Sequence, residues 1–146
     1  MTQPKNPDFA TAVRESFARQ GLMTHLGAEI VSLVPGAVTI AAPIRPETGQ
    51  QHGYAHAGLS FSLGDTAAGY SALSLLPPGH EVLTSEIKIH LLAPARGERL
   101  VAEGGVIRPG RRLMIVRAEI YAEDGADRAH VATLLGTMVP MALEPR

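Results

Sequence analysis

The sequence predicts an α+β domain in which one antiparallel sheet wraps around a single buried helix. Three observations carry that reading. The longest apolar stretch, residues 57–76, is bounded by a loop before it and by Pro77-Pro78-Gly79 after it. Four segments with β-forming composition follow it at 82–93, 99–108, 111–122 and 128–138, with turn residues at Pro109-Gly110 and Asp124-Gly125. Two more precede it within 28–42, and connections this short join antiparallel strands rather than parallel ones.

At the N-terminal end, Phe9, Val13 and Phe17 recur at spacings of four, which predicts a short amphipathic helix over 8–20 with Asp8 as N-cap and Gly21 as terminator. Between 28 and 42, Ile30, Val31, Leu33, Val34, Val38 and Ile40 favour strand, and Pro35-Gly36 divides them into a hairpin. Pro43, Pro46 and Gly49 mark a loop longer than the ~4–6 residues usual for connections, and therefore a candidate functional loop. It runs directly into the apolar helix. In the strand at 82–93, Ile87, Ile89 and Leu91 alternate with Glu86, Lys88 and His90, so the apolar face is expected to pack on the helix. No repeat and no low-complexity tract interrupts the chain, and residues 1–146 are read as one domain.

Composition sets further bounds. The 146 residues are 45% hydrophobic and 18% charged with a formal net charge of -1, which fits neither a disordered segment nor a nucleic-acid binder. The chain has no cysteine, so disulfides, thiolate metal sites and a cysteine nucleophile are excluded, and a cytoplasmic location is expected. No secretory signal is expected, because the first nine residues are polar and contain proline. The apolar stretch has the length of a membrane span but holds Asp65 near its middle, at a cost of about 2.5–3.5 kcal/mol in a bilayer. A buried helix of a protein without a membrane partner is the expectation.

Asp65 is also the sole Asp, Glu, Lys or Arg between Glu47 and Glu81. A carboxylate in such a helix either reaches solvent or a hydrogen-bond donor, or it is a general base or nucleophile in an apolar pocket. The helix starts at His56-Ala57-Gly58, and its first N–H groups lack partners within the helix. Such donors stabilise the oxyanion of an acyl transfer, unless the loop or His56 caps them. His52 and His56 have metal-ligand spacing, but Gly53 breaks the turn and no third ligand stands nearby, so no metal is expected. Ser60 sits in Gly58-Leu59-Ser60-Phe61-Ser62, which ends in serine where a nucleophile elbow needs glycine, and is read as a packing residue. Arg108, Arg111 and Arg112 flank a hairpin turn and are either a solvated tip or contacts for an anionic ligand.

The run Gln50-Gln51-His52-Gly53-Tyr54-Ala55-His56-Ala57-Gly58, continued by Leu63-Gly64-Asp65-Thr66-Ala67-Ala68-Gly69-Tyr70, resembles the signature of the PaaI-type hotdog-fold acyl-CoA thioesterases. The segment from Leu83 to Glu98, with Pro94-Ala95-Arg96-Gly97, and the later Gly110-Arg111-Arg112 continue it in family order. The resemblance covers roughly residues 22 to 140. Where many members open the helix with His-Gly-Gly, this chain has Ala57 in the second place, and it has Gln50 where many have asparagine.

The resemblance implies a hotdog fold, a curved antiparallel sheet around a central helix, in homodimers that usually pair into homotetramers. It implies acyl-CoA as substrate and thioester hydrolysis without a cofactor, with Asp65 as nucleophile or general base. Ala57 and Gly58 would supply backbone donors, His56 and Gln50 would flank them, and Thr84 would place a hydroxyl near the carboxylate. The phosphates of coenzyme A would fall to Arg108, Arg111 and Arg112, with Lys88 and Arg96 in reserve. Geometry adds an independent argument for the dimer. Ala57 and Asp65 are about 12 Å apart along one helix, too far to touch one carbonyl, so if both act they come from different chains. Two other readings share the fold: a non-catalytic acyl-CoA binding or sensing protein, and a hotdog dehydratase.

Overall fold

The computed structural model describes residues 2–144. The elements are α1 (Phe9–Ala18), α2 (Gly21–Leu26), β1 (Glu29–Val34), β2 (Ala37–Pro43), α3 (Ala57–Leu73), β3 (His80–Leu91), β4 (Arg99–Pro109), β5 (Met114–Asp124) and β6 (Asp127–Ala142). The N-terminal helix is shorter than the apolar spacing suggests. Asp8 takes the N-cap position of α1 without a side-chain cap bond. Gly21 does not end a helix but opens α2, and the left-handed residue that terminates it is Gly27, at φ 67°. There the Ala28 N–H reaches back to the Met23 carbonyl at 2.9 Å and turns the chain into β1.

The six strands form one antiparallel sheet in the order β1-β2-β4-β5-β6-β3. The β1–β2 hairpin closes over Pro35 and Gly36, the latter at φ 78°. β3 does not pair with β4, its successor in sequence; it crosses to the far side and lies against β6. Its register shifts by one residue between Thr84 and Glu86. Before this bulge Val82 and Thr84 face the helix; after it Ile87 and Ile89 do, pairing with Gly136 and Leu134. A bulge that moves the pleat by one residue lets both sets point inward. The alternation read from the sequence thus holds for Ile87 and Ile89, but Leu91, at the strand end, is 59% exposed.

Helix α3 lies across the concave face, with Leu63, Ala67, Ala68 and Ala72 buried against β2, β4, β5 and β6. Its small residues matter because the helix backbone rests directly on the sheet. A Cβ added at Gly104 of β4 would overlap the Ala67 carbonyl, and one at Gly64 would meet the Leu134 side chain at 2.8 Å. Gly104→Ala is therefore expected to lower unfolding stability by about 1–3 kcal/mol, the usual cost of overpacking, measured by urea denaturation. The helix also stops short of the residues 74–76 that its apolar run includes. Ser74 turns its hydroxyl to the Ser71 carbonyl at 2.7 Å and accepts the Gly36 N–H at 2.7 Å, which ties the helix end to the β1–β2 turn. No helix among the described residues is long and apolar enough to cross a membrane.

Candidate active site

The loop between β2 and α3 is built to hold the start of the helix. Pro46–Thr48 form a 3-10 turn, Gln50 N–H bonds the Tyr54 carbonyl at 2.8 Å, and Gly53 supplies the positive φ of 82° that the intervening turn needs. Ala55 N–H then bonds the Ala95 carbonyl at 2.8 Å, and His56 N–H bonds the Thr48 carbonyl at 2.9 Å. His56 is the N-cap of α3: its Nδ1 accepts the Gly58 N–H at 2.8 Å. Leu59 N–H is taken by the His56 carbonyl at 2.9 Å. Of the two donors singled out in the sequence, Gly58 is thereby occupied, and the Ala57 N–H is left without a partner among the described residues.

Ala57 opens into a cavity of about 550 Å3. Gln50, Tyr54, His56 and Ser60 share its wall, and the segment from Leu91 to Ala95 with Val131 closes the other side. The Gln50 Oε1 accepts the His52 N–H, which leaves its NH2 group as a donor. The Arg96 guanidinium lies 4.7 Å from the centre of the Tyr54 ring, so a cation stands next to a residue that lines this cavity. Tyr54 was not singled out from sequence; its place follows from the loop fold and from Arg96, 42 residues further on.

Asp65 lies two turns along α3, beside β3. The sequence leaves Asp65 either at solvent or a hydrogen-bond donor or in an apolar pocket; the structure puts it at a half-buried edge, where no ion pair is formed among the described residues. Its Oδ1 accepts the Thr84 hydroxyl at 2.7 Å. Oδ2 has no protein partner among the described residues and is open to a water or a substrate carbon. Thr84 can reach it because the β3 bulge follows immediately and keeps position 84 turned inward. Asp65 and Thr84 open into a second cavity of about 210 Å3, together with Ser16, Gln20, Tyr70 and Glu81.

The two cavities have no lining residue in common. Eight residues of helix separate Ala57 from Asp65 by about 12 Å along the axis and turn them about 80° apart. One chain therefore presents the open donor in one cavity and the carboxylate in another. Strand β3, which carries Thr84, is an edge of the sheet, and its twelve residues have no pairing partner on the outer side among the described residues. Leu83 is 57% exposed there. A long, partly apolar edge is a template for a further strand.

The arginines lie elsewhere. Arg108, Arg111 and Arg112 are exposed at the β4–β5 tip, with no ion pair among the described residues. The tip is at the end of the sheet where Met114 pairs with Met138 and Met138 with Thr84, two strands from the carboxylate. Lys88 is exposed on the face of β3 away from the helix. No cluster of three metal-ligating side chains occurs among the described residues, and His52 is exposed in the loop, apart from the helix that carries His56 as its cap.

The thioesterase superfamily model matches residues 52–129, a span that takes in the helix cap, Asp65, Thr84 and the β4–β5 tip. The chain belongs to the thioesterase superfamily. It is a thioester hydrolase with a hotdog fold. A thioesterase family protein from Silicibacter pomeroyi superposes with a TM-score of 0.90 at 40% identity, over 92% of this chain and 98% of the other. The PaaI protein of E. coli has the same hotdog fold, with a TM-score of 0.84 over 96% of this chain and 99% of its own at 21% identity. In sequence, a 1,4-dihydroxy-2-naphthoyl-CoA hydrolase from Listeria monocytogenes is 28% identical over 103 residues, 70% of this chain and 84% of that protein.

Proposed function

We propose that the protein hydrolyses an acyl-CoA thioester to a free acid and coenzyme A, at a site that two copies of the chain build together. The observation that carries this reading is the separation of the open Ala57 donor and the Asp65 carboxylate into different cavities of one chain. A two-fold pairing brings Ala57 of one copy to Asp65 of the other, twice per dimer. The unpaired edge of β3 supports such a homodimer, and pairing of dimers into a homotetramer is compatible with it. The coenzyme A ester named for the Listeria relative supports the substrate class. Acyl-CoA as substrate, with a chain free of cysteine, supports a cytoplasmic setting.

In the reaction, the thioester carbonyl oxygen lies against the Ala57 N–H, with the Gln50 amide nearby. Asp65 acts through Oδ2, while Thr84 holds Oδ1. As general base it takes a proton from water, whose oxygen adds to the carbonyl carbon. The tetrahedral oxyanion is stabilised by the helix-start donor, the C–S bond breaks, and the thiolate leaves and is protonated. As nucleophile the carboxylate oxygen itself adds, expels the thiolate and forms an anhydride that water then opens. Both routes consume one water and give the same products. Neither needs a metal or redox cofactor.

The test is incubation with a panel of acyl-CoA esters, following free thiol. Release at a rate proportional to enzyme is expected. Tight binding without thiol release would mark a non-catalytic acyl-CoA protein, and double-bond formation or hydration in a 3-hydroxyacyl ester would mark a dehydratase. The arginine tip supplies the further proposal that Arg108, Arg111 and Arg112 meet the phosphates of coenzyme A, with Lys88 and Arg96 as additional cations. Arg111→Ala with Arg112→Ala is expected to raise KM about threefold to tenfold at low ionic strength with kcat nearly unchanged, because uniform binding is lost. An unchanged KM under those conditions would place the phosphates elsewhere.

A further inference from the structure

The cavity that holds Asp65 and Thr84 is small, about 210 Å3. Against roughly 150 Å3 for an apolar cavity that accommodates benzene, the part of the site that one chain supplies has volume for about one ring or a few carbons, with Tyr70, Val82 and Leu83 as its apolar lining. Its size is set by residues far away in sequence. Ser16 of α1 and Gln20 at the start of α2 form the wall facing Asp65, together with Tyr70. The Ser16 hydroxyl lies 3.1 Å from the Tyr70 hydroxyl, and the Phe17 ring meets Tyr70 edge-on at 5.9 Å between centres. Val13, one turn back, is fully buried in the core. The N-terminal helix is thus anchored on α3 through the rim of the cavity.

Charge is as one-sided as shape. Glu81 lines the cavity with Asp65, and no lysine or arginine does. Burial pushes the Tyr70 hydroxyl up from its ordinary value, against the lowering effect of its Ser16 hydrogen bond; Glu81 also raises it, while Gln20 and Arg19 lower it. The hydroxyl therefore stays neutral, and the charged groups that line the cavity are the carboxylates of Asp65 and Glu81.

Attack by Asp65 Oδ2, or by a water that it deprotonates, brings the carbonyl carbon to the mouth of this cavity. We infer that the acyl chain enters this cavity, that Ser16, Gln20 and Tyr70 wall off its end and limit it to short acyl groups, and that Glu81 excludes acyl groups ending in a carboxylate. The inference rests on the proposed role of Asp65 in thioester hydrolysis. It assigns a selective role to α1, which lies outside the family match.

The experiment compares kcat/KM for butyryl-CoA, decanoyl-CoA and succinyl-CoA. Butyryl and succinyl have equal carbon number and differ in the terminal carboxylate. The unmodified protein is expected to prefer butyryl over each of the others by about tenfold or more. Ser16→Ala with Gln20→Ala opens the wall and is expected to raise the decanoyl-to-butyryl ratio about fivefold. Ser16→Leu fills the cavity instead and is expected to lower butyryl relative to acetyl-CoA. Glu81→Gln is expected to raise the succinyl-to-butyryl ratio about tenfold by removing a like charge. Ratios that do not move in these folded variants, or decanoyl-CoA hydrolysed as well as butyryl-CoA by the unmodified protein, would overturn the inference while leaving the thioesterase reading intact. No turnover of any ester would overturn the thioesterase reading itself, and the inference with it.

Discussion

Asp65→Asn is expected to lower kcat for acyl-CoA hydrolysis by about 10²–10⁴-fold, the range lost with a general base. The replacement is nearly isosteric, and the asparagine oxygen can still accept the Thr84 hydroxyl that Asp65 accepts at 2.7 Å. What disappears is a basic and nucleophilic oxygen at the open position. Asp65 is half-buried and free of ion pairs among the described residues, so its loss removes little that holds the fold together. A thermal midpoint within a few degrees of the unmodified protein should accompany the kinetic loss. Asp65→Ala goes further, leaving the Thr84 hydroxyl with the Met138 sulfur, 3.4 Å away, as its remaining side-chain acceptor. Near-normal turnover in folded Asp65→Asn would remove the carboxylate from the chemistry.

Ala57→Pro deletes a single backbone donor and is expected to reduce kcat about 10²–10³-fold, as removal of one oxyanion donor does elsewhere. The position suits proline. Ala57 is the first residue of α3, where a missing N–H costs the helix nothing and a fixed φ is already right. His56 before it has φ -63° and ψ 141°, the extended conformation that a following proline imposes. Its N–H has no partner to lose among the described residues. Ala57→Gly, which keeps the N–H, serves as the control and should remain active. Steady-state thiol release read beside a thermal melt separates the two effects, and equal activity of the proline and glycine variants would move the oxyanion donor elsewhere.

Local chemistry made much of this fold readable. Pro35-Gly36 marked the first hairpin, the proline and glycine signals marked the other turns, and the long apolar run marked the central helix. Pairing between distant segments was not readable. That β3 crosses to β6 is decided by how the whole sheet packs on α3, and no short pattern encodes it. The bulge after Thr84 is a one-residue shift in a strand whose composition looks regular, so the turned-in Thr84 does not follow from the alternation, and Leu91 is exposed because β3 ends there. Asp65 stood out as a lone charge, but its half-buried setting depends on the gap between helix and β3. The sequence offers His56 as a cap without saying which donor it takes, because that depends on the ring's orientation, which puts Nδ1 on the Gly58 N–H. The α1 wall was hidden for the same reason as the crossover, since Ser16 and Tyr70 meet across 54 residues of chain.

The central claim is that two chains complete each site, and subunit exchange tests it most directly. Asp65→Asn and Ala57→Pro proteins, each nearly inactive alone, are mixed, allowed to exchange, and assayed for thiol release, with exchange verified by differently tagged chains. In a mixed dimer one site takes both substitutions and the other takes none. With half of the dimers mixed at random pairing, recovery to roughly a quarter of the unmodified activity is predicted. Verified exchange with activity no higher than that of the separate variants would place Ala57 and Asp65 in the same chain's site and contradict the account.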